Sequence, residues 1–322
     1  ELKSENKDFS ATTLIEKVTN PVKPITVGEL FKQHIACLKE EQRTGYRLSI
    51  QQTYNSLLKF NKHLDICFSE IDVNWLKGYE RWLRKQGRAG NTIAIRFRNL
   101  RMVFNLAIEM EVVKPECYPF KKYKIAKLHQ STIKRALTKE EVQSVINYSI
   151  TERQYYTCLA INLFTFSYFM GGINFVDMAY LTRNNIINNR LIYKRKKTSK
   201  LINLPLQERA LLILKEYEDE NNPYLFPVLS NFHKTEQQKL NRLHKVITKV
   251  NKALKAIGEE LNLPIKLTTY VARHSYATVL KRSGVPTSII SESLGHSSEK
   301  VTQVYLDGFE NNQIDEAMKN LL

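Results

Sequence analysis

From Thr26 onward, Val27, Leu30, Phe31, Ile35 and Leu38 recur at three- and four-residue steps, the repeat of one apolar helix face. The same rhythm predicts a second helix near Ser49 to His63. A third covers Val73 to Lys85, with Trp75, Leu76, Tyr79, Trp82 and Leu83 on its apolar side. A fourth starts after Gly90, with Asn91 as its cap, and runs to about Val112; Ile95, Leu100, Val103, Phe104 and Leu106 form its buried side. These four make a helical unit over residues 23–118. Residues 1–22 ahead of it are polar, end in Asn20-Pro21 and read as a linker.

A new start signal, Thr138-Lys139-Glu140-Glu141, has the form of a capping box. A strongly apolar helix follows over Tyr155 to Phe169, and Gly171-Gly172 breaks it. Asn174 and Asp177 can cap the next helix, through Leu181. The run Leu191 to Leu204 reads as two short strands with a turn near Thr198 to Lys200. Helices are then predicted at 207–219, 237–261, 270–283, 286–294, 298–305 and 310–321. The chain is therefore mainly α with a small β-sheet. At 322 residues it exceeds the usual single-domain size of roughly 100 to 200, so two domains are expected: 23–118, and 138–322 after a connection at 119–137.

Charge sharpens the picture. Lys plus Arg number 49 against 32 Asp plus Glu, a formal charge of +17, which attracts polyanions and points to nucleic acid. The basic residues fall in blocks. Arg96, Arg98 and Arg101 lie on the fourth helix, and Lys121, Lys122, Lys124, Lys127 and Lys134 lie in the 119–137 connection, which reads as a basic linker along a DNA backbone. Cys37, Cys67, Cys117 and Cys158 form no CxxC pair, so neither a zinc site nor a disulfide framework is indicated. A reducing cytoplasm fits. No apolar run has the length of a membrane span, and no signal peptide stands at the start.

The chemistry is concentrated near the carboxy end: Tyr270-Val-Ala-Arg273-His274-Ser275, then Leu294-Gly295-His296-Ser297, then Tyr305. Arg273 can clamp phosphate oxygens, His296 can donate to another, and Tyr305 can serve as nucleophile. In these motifs the sequence resembles the tyrosine recombinases, the phage-integrase family, and within it the integrases of bacterial conjugative and mobilizable elements.

The resemblance implies a helical-bundle core-binding domain and a mixed α/β catalytic domain that close on DNA as a C-shaped clamp. It implies site-specific strand exchange through a 3′-phosphotyrosine link, on double-stranded attachment sites, in a homotetramer that exchanges C-terminal helices and passes through a Holliday junction. DNA-bending accessory proteins and a nucleoid location in a bacterial cytoplasm go with that reading. No metal or other cofactor is needed, because the covalent link conserves the bond energy.

Any of Lys194, Lys196, Lys197 and Lys200 can bind the backbone without reacting. The resemblance gives Lys197 the task of protonating the leaving 5′ oxygen. Two positions depart from the family pattern. Tyr270 stands where the family has a histidine, and Gly171-Gly172 stand where its first catalytic arginine is expected. Arg195 is the substitute candidate, because strand alternation would set it on the same face as Lys197. Asp177 matches a family acid that orients the arginines. The departures suggest one rival, a DNA-binding protein that has lost catalysis, and the same tyrosine chemistry allows another, a type IB-like topoisomerase. Family members of this kind often carry a further arm-binding domain, of which residues 1–22 would be the tether.

Overall fold

The computed structural model describes residues 25–130, 135–150, 154–296, 298–303 and 306. They divide into two compact units that part near residues 132 and 133.

The first unit is built on four helices, α1 (Val27–Glu40), α2 (Thr44–Asn61), α3 (Val73–Lys85) and α4 (Gly90–Glu109). Thr26 caps α1 through a reciprocal capping box with Glu29, and Asp72 caps α3 by accepting from the Trp75 amide. The core is rich in aromatic residues: Phe31, Phe68, Tyr79, Phe97 and Phe104 are essentially fully buried. Polar side chains, Thr53 and Asn99 among them, are buried with them. Asn99 Nδ2 donates to Ser49 O, Ser49 Oγ and Thr53 Oγ1 at 3.1, 2.9 and 2.8 Å, tying α4 to α2.

Three expectations change here. Helix α2 begins at Thr44, before the apolar repeat becomes regular. Ile95 is 42% exposed, because the buried stripe of α4 runs through Ile93, Phe97, Leu100, Phe104 and Ala107 and Ile95 falls between its rows. Asn91 is not the cap of α4. Its side chain pairs with the backbone of Gln130, accepting from its N–H and donating to its C=O, while the Gln130 amide oxygen accepts from the Gly90 N–H. A residue distant in sequence thus satisfies an orphan donor of the helix.

Residues 115–128, which include the start of the expected linker, form short 3₁₀ turns. Phe120, Tyr123, Ile125 and Leu128 are buried in the core of this unit, with Tyr123 stacked on Phe97 at 5.0 Å. Lysines alternate with these anchors and mask them in composition.

The second unit is organised around a helix buried nearly all round. Thr138 caps α5 (Lys139–Ile146) through the expected capping box. Helix α6 (Tyr155–Phe169) buries Leu159, Leu163, Phe164 and Phe166, and α7 (Phe175–Ala179) is capped by Asn174. An antiparallel sheet follows in the order β1 (Ile186–Ile187), β2 (Arg190–Lys194), β3 (Leu201–Pro205). Its β2–β3 hairpin pairs Lys194 with Leu201. Strand β1, two residues long, was too short to announce itself in sequence. Then come α8 (Glu208–Glu216), α9 (Glu236–Glu260), α10 (Thr269–Arg282), α11 (Thr287–Ser293) and α12 (Glu299–Gln303). Helices α8, α9 and α10 pack around α6. No helix among the described residues is long and apolar enough to cross a membrane. The helix expected at 310–321 lies outside the described residues.

Candidate active site

Four chain segments of the second unit meet around Arg273. Helix α6 ends at Phe169, and the chain reverses through Gly171 and Gly172, both at positive φ, with the Gly172 N–H bonded to Ser167 O at 2.8 Å. The Arg273 stem lies directly on this turn: a Cβ on Gly172 would stand 2.8 Å from Arg273 Cα. Only glycine permits that approach together with a φ of +63°. Arg273 is 2% exposed. Its Nη1 donates to Gly172 O at 2.8 Å and its Nη2 to Leu294 O at 2.6 Å.

Leu294 follows the last turn of α11, where Gly295 takes a left-handed conformation and the chain returns its N–H groups to Glu292 and Ser291. The Leu294 carbonyl is left to face inward. It accepts from Arg273 and also from Arg195 Nη1 at 3.1 Å, while Gly295 O accepts from the same Nη1 at 2.8 Å. Two guanidinium groups are thus joined by one carbonyl at a helix C-terminus, where the backbone dipole favours cations.

Arg195 continues the inward side of β2: Leu191, Tyr193 and Arg195 are all buried. Its Nε lies 3.8 Å from Asp177 Oδ2, and Asp177 is 4% exposed. Asp177 Oδ1 accepts from the Lys196 N–H at 2.9 Å, so this carboxylate both faces the arginine and fixes the hairpin.

The shared face expected for Arg195 and Lys197 is a correction. Pairing stops at Lys194 and the chain turns, with Ser199 N–H bonded to Arg195 O and Arg195 N–H to Lys200 O, so Lys197 is exposed in the turn while Arg195 is buried. Lys200, which no motif distinguished from its neighbours, donates from Nζ to His296 O at 3.3 Å.

His296 is 6% exposed. Its Nε2 is 2.9 Å from Arg273 Nη2, and its Nδ1 is 2.9 Å from Thr302 Oγ1. Burial, followed by the charges of Arg273, Arg195, Lys197 and Lys200, pushes its pKa down to about 4. The ring is therefore neutral near pH 7. Histidine in an unfolded chain titrates near 6.5, so protonation favours unfolding. Stability present above about pH 6.5 is lost as pH falls towards 4, by about 2 to 3 kcal/mol. Urea unfolding of the DNA-free protein at pH 7 and pH 4.5 is expected to show that extra loss in the parent and not in His296→Gln. Equal losses in both would refute it.

Tyr270 stands on the first turn of α10, 46% exposed, with its ring edge-on to His274 at 4.8 Å. Tyr305 lies outside the described residues, two positions beyond the end of α12. In the first unit, Arg98, Arg101, Lys121, Lys122 and Lys124 are exposed. Arg96 instead reaches across to Gln52 at 3.5 Å. Lys127 is paired with Glu80 at 3.1 Å and lies over the Tyr123 ring, which gives it a place in the fold that sequence spacing concealed. Lys134 lies outside the described residues.

Comparisons with known proteins agree with this geometry. The profile described as "Phage integrase SAM-like domain" matches residues 26–125, and that of the "Phage integrase family" matches residues 135–312. A tyrosine recombinase of Thermosipho africanus is 29% identical over 57% of this chain and 60% of its own length. The tyrosine recombinase XerC of Lacticaseibacillus casei is 24% identical over 88% of this chain and 93% of its own. Among solved structures, the Tn1549 transposon integrase in complex with a circular intermediate DNA superposes with a TM-score of 0.68 at 14% identity, covering 92% of this chain and all of that one. A lambda integrase tetramer bound to a Holliday junction gives 0.65 at 16% identity, covering 96% and 85%. With a family profile matching more than half its length and the cluster of Arg273, Arg195 and His296 at its centre, the chain belongs to the phage integrase family, the tyrosine recombinases.

Proposed function

We propose that the protein is a site-specific DNA recombinase that integrates and excises a mobile element by strand cleavage and rejoining. One observation carries the reading: two buried guanidinium groups share a carbonyl beside His296, next to the hairpin of Lys197 and Lys200 and the short helix that leads to Tyr305.

In this reading the scissile phosphate enters against Arg273 and Arg195, which stabilise the charge that builds on the non-bridging oxygens. The Tyr305 hydroxyl gives up its proton to water and its oxygen bonds to phosphorus as the bond to the deoxyribose 5′ oxygen breaks. Lys197 gives that oxygen its proton. The products are a 3′-phosphotyrosine and a free 5′ hydroxyl, which attacks the partner's link in the reverse of the same step. Tyr270 donates to a phosphate oxygen without adding charge.

Residues 23–118 serve as the core-binding domain and 138–322 as the catalytic domain, and each acts on duplex attachment sites. Arg96, Arg98, Arg101, Lys121, Lys122 and Lys124 contact the backbone. The working assembly is a tetramer on DNA whose C-terminal helices pass between neighbours, with DNA-bending proteins as helpers in the cytoplasm.

A duplex nicked near the cleavage site, which lets the short fragment diffuse away, traps the intermediate. The expected result is a denaturant-resistant protein–DNA adduct whose nucleotide maps by mass spectrometry to the Tyr305 peptide. Tight binding without adduct would overturn the reading and favour a catalytically silent binder. Adduct on any plasmid, with no dependence on an attachment site, would favour a relaxing topoisomerase.

A further inference from the structure

The surroundings of His296 fix which of its nitrogens carries the proton. Arg273 Nη2 lies 2.9 Å from Nε2. A guanidinium offers only hydrogens, so Nε2 must present its lone pair to it. A neutral ring then bears its hydrogen on Nδ1, which donates to Thr302 Oγ1 at 2.9 Å. Thr302 is 0% exposed, so bulk water does not stand in for its hydroxyl.

We propose that Thr302 is a positioning residue of the cleavage site: its hydroxyl holds His296 in the Nδ1–H form with Nε2 turned toward Arg273, and the same bond fastens the helix that leads to Tyr305. The consequence for catalysis rests on the recombinase reading; the hydrogen bond itself does not.

Two physical features give the bond its value. A hydroxyl oxygen accepts equally from a neutral and from a protonated imidazole. The bond from Nδ1 therefore holds the ring in place as Arg273 turns from Nε2 to the incoming phosphate, and only after that departure can Nε2 take a proton from solvent and donate to the phosphate. Placement is the second feature. Thr302 lies on α12, only five residues long, and so short a helix gains little from its own backbone hydrogen bonds. An anchoring side chain three positions before Tyr305 restrains the chain from which the nucleophile projects. Near-attack geometry is what such restraint supplies.

Valine is close to threonine in shape and keeps its methyl packing, so Thr302→Val removes little besides the acceptor. The buried Nδ1–H then loses the oxygen that accepts from it. Moving the hydrogen to Nε2 would set it against the Arg273 donors.

Single-turnover adduct formation on the nicked duplex at saturating DNA is expected to slow roughly 10- to 100-fold in Thr302→Val, with DNA affinity within about twofold of the parent. Thr302→Ser, which restores the oxygen, should recover to within about threefold of the parent. Nitrogen-15 spectra of the DNA-free parent and Thr302→Ser are expected to show His296 protonated on Nδ1 and bare on Nε2, a state depleted in Thr302→Val. Parental cleavage rates in the valine variant, or a parent carrying its proton on Nε2, would overturn the proposal. A parent that shows the Nδ1–H state yet forms no adduct would instead overturn the recombinase reading and leave the hydrogen bond standing.

Discussion

Tyr305→Phe is expected to abolish covalent adduct on the nicked duplex, by roughly 10⁴-fold or more, while leaving DNA affinity within about twofold. The substitution removes one oxygen and keeps the ring. A phenol has a pKa near 10 and is a weak nucleophile until the charge on its target is neutralised. Arg273 and Arg195 are buried and hydrogen-bonded without DNA, so on the proposed reading, in which they neutralise that charge, little reorganisation is required at the moment of attack. Affinity rests elsewhere, on the many exposed cations of a chain with formal charge +17, and should fall steeply with salt through counterion release. The measurement pairs denaturing gels for the adduct with fluorescence anisotropy for binding. Adduct persisting in the phenylalanine variant would mean that another side chain attacks.

The sequence announced what is local and missed what is distant. The capping box at Thr138, the helix Val73–Lys85 and the β2–β3 hairpin were legible because each depends on residues within a few positions of one another. Arg273 and His296 were legible as motif members, and the structure sets them 2.9 Å apart. Other assignments needed the fold. Lys127 reads as one more linker cation until Glu80 is seen beside it. Residues 119–128 read as a basic strap because lysines alternate with the anchors Phe120, Tyr123, Ile125 and Leu128. Thr302 carries no sequence signal for its bond to His296, since side-chain direction on a short helix is set by docking. Residues 195–200 show the limit of periodicity. Alternation predicts one shared face for Arg195 and Lys197 and fails, because the strand ends at Lys194 and the chain turns beyond it, leaving Arg195 buried and Lys197 exposed.

The largest departure from the family pattern leads to the other large effect expected. Arg195→Ala should slow cleavage by roughly 10²- to 10³-fold and lower the stability of the catalytic unit by about 2 to 4 kcal/mol. The family's first arginine is expected at Gly171-Gly172, and neither position can carry one here. A Cβ on Gly171 would come within 2.5 Å of Leu204 Cδ1 and 3.1 Å of Ser293 O, at a φ of +66°, and Gly172 is covered by Arg273 itself. Arg195 delivers a guanidinium from just beyond the end of β2 and shares the Leu294 carbonyl with Arg273. Alanine would leave that carbonyl and Gly295 O each short of a donor. It would also leave Asp177 buried without the nearby cation, although the Lys196 N–H still supports the carboxylate. Arg195→Lys should recover much of the stability and little of the rate, because one ammonium cannot span two carbonyls and a carboxylate at once. Gly171→Arg added to Arg195→Ala should rescue neither, since the new side chain meets Leu204 before it reaches the site. Single-turnover adduct rates below the melting temperature, with urea unfolding beside them, separate the two effects. Cleavage at the parental rate in Arg195→Ala would show that Arg273 alone neutralises the phosphate, and that Arg195 serves the hairpin only.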